Sequence, residues 1–127
     1  MSFNWSEYFT LAQELASESA TPSMQEAMLR SAISRAYYAA FCEARNHLIY
    51  KDAETVPNGV NVHSYVGEKF RKSTDLARRK IGQLLHHLRS IRNIADYQDI
   101  FYGKLSGRTR AALLEAEEVL RLLNTLQ

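Results

Sequence analysis

Apolar residues recur every three or four positions along most of this chain, the spacing that places side chains on one face of a helix. The pattern predicts five helices and no strands. The first spans about Trp5 to Ser17, with Tyr8, Leu11, Ala12 and Leu15 on its apolar stripe. Thr21-Pro22 is a start signal with proline at the first helical position, and Ser23 with Glu26 offers a capping box in another register. The second helix then runs to about Tyr50 on Leu29, Ile33, Ala36, Tyr37, Ala40, Ala44 and Leu48. Its alanines allow close approach of a neighbour. Pro57-Asn58-Gly59 marks the main loop, Lys51 to Asn61. The third helix covers about Val62 to Lys72 on Val62, Tyr65, Val66, Lys69 and Phe70. Thr74 or Asp75 caps the fourth, which continues to about Gln98 on Ile81, Leu84, Leu85, Leu88, Ile91 and Ala95. After a break at Gly103 and Ser106-Gly107, the fifth runs from about Arg108 to Leu126 on Leu113, Leu114, Ala116, Leu120, Leu123 and Thr125. The expected architecture is all-α: a five-helix up-and-down bundle, one domain over residues 1–127.

Composition narrows this picture. A chain of 127 residues with 46% hydrophobic and 24% charged side chains suits one soluble domain with a real core. The single cysteine, Cys42, has no internal partner, which fits a reducing compartment. No apolar run reaches the length of a bilayer and no signal-peptide pattern opens the chain, so the expected location is cytoplasmic, without membrane contact. Charge is unevenly placed. Before Arg30 there are four acids and no lysine or arginine, whereas Lys69 to Arg92 holds eight bases and one acid, Asp75. The basic segment suits either phosphates or a solvated face that pairs with acidic helices. Arg78, Arg79, Lys80 and Arg89 are its candidate RNA contacts, together with His63.

The run Arg92 to Tyr97, R-N-I-A-D-Y, carries the sharpest chemical signal. Arg92 falls inside the apolar stripe of the fourth helix. A guanidinium there needs a partner, because an unpaired buried charge is costly. Asp96, four residues on, shares its face. The candidate catalytic residues are therefore Arg92, Asp96 and Tyr97, with two readings open: an ion pair that fixes packing, or a site for phosphate. Metal-free RNA cleavage needs a base for the 2′-hydroxyl, an acid for the leaving oxygen and a cation for the transition state. Arg92 supplies the cation; the upstream histidines His63, His86 and His87 are the available proton carriers. For Tyr97 a core or interface place is the simpler reading. Tyr37 belongs to the core stripe of the second helix, while Arg35 and Tyr38 point away from it, towards solvent or a partner. Adjacent His86 and His87 diverge by about 100° on a helix, and no metal-ligand set stands out.

Two stretches resemble the HEPN family of small α-helical proteins: S-R-A-Y-Y-A-A-F, Ser34 to Phe41, and R-N-I-A-D-Y. His63-Ser64 followed by Phe70 fits the same branch. The resemblance implies a five-helix fold across nearly the whole chain and a homodimer whose fourth helices line one cleft. It further implies a toxin–antitoxin or defence setting, metal-independent endoribonuclease activity without a cofactor, and a minimal nucleotidyltransferase antitoxin as partner. In some such pairs the antitoxin adenylylates a tyrosine near the site, which makes Tyr97 and Tyr102 candidate modification sites. The family's catalytic signature is an arginine followed, across a gap of four to six residues, by histidine. Here the corresponding positions hold Tyr97, Gln98 and Asp99 counted from Arg92, and Ile94, Ala95 and Asp96 counted from Arg89; the last histidine is His87. That departure leaves a non-catalytic module that docks a nucleotidyltransferase, or binds a nucleotide, as the rival reading.

Overall fold

The computed structural model describes residues 2–17 and 21–126. Five α-helices follow one another: α1 (Glu7–Ser17), α2 (Pro22–Asn46), α3 (Val62–Arg71), α4 (Leu76–Tyr97) and α5 (Leu105–Thr125). No strand occurs among the described residues. No helix there is long and apolar enough to cross a membrane.

The central element is α2, which touches every other helix. Ala32, Ala36, Ala39, Ala40 and Ala44 are fully buried on it, so neighbouring backbones come close on several sides. Tyr37, Ile33 and Phe41 fill the space between them, against Phe70 and Val66 of α3, Ile81, Leu88 and Ile91 of α4, and Ala116 and Val119 of α5. Two clamps fix the direction of α4 against α2. At one end Arg30 donates to the carbonyls of Ala95 (3.1 Å), Gln98 (2.6 Å) and Asp99 (3.2 Å), holding the last turn of α4 beside the start of α2. At the other, Arg78 in the first turn of α4 grips Asp52 just beyond α2. The two helices are therefore antiparallel. The Thr109 hydroxyl bonds Leu29 O at 3.5 Å, which sets the start of α5 beside the start of α2; α5 is then antiparallel to α4 as well.

Helix boundaries differ from the periodic reading in two places, each for a local reason, and the choice of cap for α4 is settled in a third. Beyond Asn46 the second helix widens into a π-helical turn, His47–Lys51, which ends where Asp52 N bonds His47 O at 3.1 Å. Ala53 follows in the left-handed region, φ 55°. Asp75, not Thr74, caps α4, its carboxylate accepting from Arg78 N at 2.9 Å. The fifth helix starts at Leu105, earlier than expected: Gly103 at φ 92° makes the break, and Gly107 lies inside the first turns. Its buried face is Thr109, Ala112, Ala116, Val119 and Leu123, so Leu114 and Thr125 face outwards rather than into the core.

Candidate functional site: a groove between α1, α2, α3 and α4

Arg92 is 12% exposed and all three of its guanidinium nitrogens are engaged. Nε donates to Asp96 Oδ2 at 2.9 Å, Nη1 to Asn93 Oδ1 at 2.9 Å, and Nη2 to the Tyr38 hydroxyl at 2.5 Å. The i,i+4 spacing thus forms the ion pair its geometry favours. The same Asp96 oxygen also accepts from Ser34 Oγ at 3.1 Å. Asp96 is thus bonded from two helices and holds Arg92 in place. The guanidinium carbon lies 4.9 Å from the Tyr38 ring centre and 5.5 Å from that of Tyr97, distances at which a cation is drawn to an aromatic face.

Arg35 and Tyr38 are half-buried and line an open groove, with Tyr8 of α1 against Arg35. The Arg35 guanidinium sits 4.7 Å from the Tyr8 ring and 5.1 Å from the Tyr38 ring, and Arg45 lies 5.4 Å from Trp5. These side chains, with Arg92, Asp96 and His63, line an open groove of about 470 Å³. The groove was missed in the helix-by-helix reading, although a signal existed: Arg35, Tyr38, Cys42 and Arg45 recur at spacings of three and four and mark a second face of α2.

His63 reaches this groove from the first turn of α3. Its Nδ1 is 2.6 Å from the Tyr37 hydroxyl, and its ring stacks on Phe41 with centres 4.3 Å apart. Burial, then the nearby positive charges of Arg89 and Arg92, hold its imidazole below the usual histidine range. It is therefore neutral at pH 7, with one ring nitrogen able to accept a proton. Burial pushes the Tyr37 phenol well up, so that group stays protonated. Arg89 stands one helical turn before Arg92 and donates to Ser64 Oγ at 3.3 Å.

The fold brings together Arg92, Asp96, Arg89 and His63. It separates the others. Arg78 is not a free cation: it makes a two-pronged pair with Asp52 at 2.7 and 2.9 Å and donates to His47 Nε2 at 3.3 Å. Arg79 and Lys80 are exposed near the start of α4, about 18–20 Å along the helix from Arg92 at 1.5 Å per residue. Tyr97 is not a core residue. It is 73% exposed, and Tyr102 is 78% exposed, so both hydroxyls are open to solvent-borne reagents. His87 pairs with Glu115 at 2.6 Å, while His86 faces a separate pocket.

The model of the HEPN domain family matches residues 13–126, from within α1 to the end of α5. The chain belongs to the HEPN family. No curated protein and no solved structure matches it. The HEPN match covers α2 to α5 in full, and with them both elements that carry Arg92 and Tyr38.

Proposed function

We propose that this HEPN protein binds single-stranded RNA in the groove and cleaves it without metal, with His63 in the place of the histidine that the family's signature puts after the arginine. One observation carries the reading: α3 delivers a neutral imidazole to the same groove that Arg92 lines. The aromatic rings of Trp5, Tyr8 and Tyr38 offer stacking surfaces for unpaired bases, and Arg35 and Arg45 lie among them to meet phosphates. For cleavage His63 needs the tautomer in which Nδ1–H donates to the Tyr37 oxygen, leaving Nε2 to take the 2′-hydroxyl proton. Arg92 then stabilises charge on the phosphate as the 2′-oxygen bonds to phosphorus and the P–O5′ bond breaks, the 5′-oxygen leaving as a hydroxyl with a proton from water and the other product ending in a 2′,3′-cyclic phosphate. The setting that fits is a toxin–antitoxin or defence system, with the protein acting as a homodimer.

A second reading draws on the engagement of Arg92 with Asp96, Asn93 and Tyr38. Those bonds describe a packing strut as well as a site. In this view the protein is a non-catalytic module that docks a nucleotidyltransferase, and the exposed Tyr97, Ile100 and Tyr102 supply the docking surface. Total cellular RNA incubated with the purified protein in EDTA separates the two. Cleavage that disappears in Arg92→Ala and in His63→Ala supports the nuclease. Binding without cleavage keeps RNA as ligand and removes the chemistry. A folded protein that neither binds nor cuts RNA leaves the docking module.

A further inference from the structure

Behind His63, on the side away from α1, a smaller pocket of about 170 Å³ lies between α2, α3 and α4. Arg71, Arg89, His63, His86 and Ser64 line it, and its one acid is Glu68. We propose that this pocket holds a terminal phosphate, the phosphomonoester at the end of the RNA strand that the groove binds. The proposal rests on the RNA reading above and gives that site an end specificity.

One feature points to a missing anion and a second to the space that would hold it. The first is Arg89. The other half-buried arginines each meet a carboxylate or an aromatic ring: Arg30 meets Glu26, Arg78 meets Asp52, Arg92 meets Asp96, and Arg35 and Arg45 lie over rings. Among the described residues Arg89 has neither; its bond is to the neutral Ser64 hydroxyl. A guanidinium partly withdrawn from water without a counter-charge is unfavourable, and an anion in the pocket would supply one. Nearby, Arg71 reaches Glu68 only at 3.9 Å, the longest ion pair among the described residues, so it too has donors to spare.

The second feature is Gly67. It sits inside α3, where glycine costs about 1 kcal/mol relative to alanine. Nothing lies within 4 Å of where its Cβ would be, so close packing does not demand it. What the missing side chain leaves is the pocket itself.

The pocket's size and charge select the ligand. It is below the range of about 300–1,000 Å³ typical of sites for whole small molecules, so it suits a phosphate rather than a base with its sugar. A dianionic monoester matches two guanidinium groups better than a singly charged diester does. His63 and Phe41 line both the pocket and the groove. The two spaces are therefore neighbours on either side of this pair, and a pocket smaller than a nucleotide suits the phosphate at a strand's end better than the middle of a chain.

The test uses one single-stranded 2′-O-methyl oligoribonucleotide, which cannot be cleaved, carrying a 5′-phosphate, a 3′-phosphate or hydroxyl ends. Fluorescence anisotropy with the full chain should show one phosphorylated form binding about tenfold more tightly than the hydroxyl form, the scale of an added charge-assisted contact. Arg89→Gln should abolish that preference. So should Gly67→Leu, which fills the pocket while keeping both arginines; circular dichroism melts establish that each variant is folded. Equal affinity for all three strands, with binding still lost in Arg92→Ala, overturns the pocket and leaves the groove reading intact. Preference that survives Gly67→Leu also overturns it. Adenosine monophosphate or inorganic phosphate binding as tightly as the phosphorylated strand overturns the strand-end assignment in favour of a free phosphate ligand. No binding of any strand by the folded protein overturns both readings together.

Discussion

The two ends of α4 use the same residue types to opposite effect. Towards its start lie Arg78, Gly82 and, across from them, His47; towards its end lie Arg89, Arg92 and, across from them, His63, with Gly67 on the facing helix. At the first end these three are all used by the protein. Arg78 closes a two-pronged pair with Asp52 and bonds His47, which is buried. Gly82 is required, because a Cβ there would stand 2.3 Å from the backbone nitrogen of Arg71. At the second end capacity is left over. Arg89 lacks a counter-charge, Gly67 borders empty space, and His63 keeps a ring nitrogen beyond the one that meets Tyr37. Side-chain chemistry alone does not separate Arg78 from Arg89; what separates them is whether the fold supplies a counter-charge.

The widest separation should come from the glycines. Gly82→Ala forces backbone against backbone where α3 ends on α4, and should cost about 3 kcal/mol or more in a denaturant titration; a near-neutral result would mean the two helices can part without loss. Next, removal of Asp52 or of the Arg78 guanidinium as alanine should lower stability by about 1.5–3 kcal/mol, the scale of hydrogen bonds to charged groups. RNA binding per folded molecule should not change in either variant. A loss of binding in Arg78→Ala at full stability would return that arginine to the RNA surface.

The histidines sharpen the contrast through pH. Burial holds His47 below its ordinary value of 6.5, and the nearby Asp52 carboxylate only partly opposes this; burial, Arg89 and Arg92 do the same to His63. A folded-state value below the unfolded one means that the unfolded chain takes up the proton first as pH falls. The stability these neutral histidines contribute is then complete above about pH 6.5 and is lost on acidification through the folded values. Melting temperature should fall between pH 7.5 and 5.5, and His47→Gln should flatten that fall. RNA cleavage should lose rate over the same acid range, and His63→Gln should abolish it, whereas His47→Gln should leave the cleavage profile of the folded protein unchanged. The smallest effect should be Gly67→Ala, which gains about 0.5–1 kcal/mol from helix propensity with no clash to offset it; destabilisation there would show that the pocket is not free space.

Much of the fold was legible in the chain. The heptad-like stripes of α2 and α4 placed Tyr37, Ile81, Leu88 and Ile91 in the core, and Arg92 with Asp96 on one face, where they are found. Local signals worked where they acted locally: Thr21-Pro22 begins α2 and Asp75 caps α4. The stripe of α5 was misassigned at Leu114 and Thr125 because that helix is apolar around most of its girth and packing against α2 and α4 chooses the face. The places of Arg35, Tyr38 and Tyr97 were likewise invisible, since each depends on what another helix covers.

By itself, then, the sequence determined five helices, their approximate limits and the shared face of Arg92 and Asp96, all consequences of residues within one or two turns of each other, and the order of its motifs pointed to the HEPN family. Only the tertiary structure decided that Arg78 is a strut, that Tyr97 faces solvent, that His63 joins Arg92 and that Arg89 is left without a counter-charge. Those outcomes depend on distances between α2, α3 and α4, and the charge balance of a partly buried group is set by whatever the packing brings within about 4 Å of it.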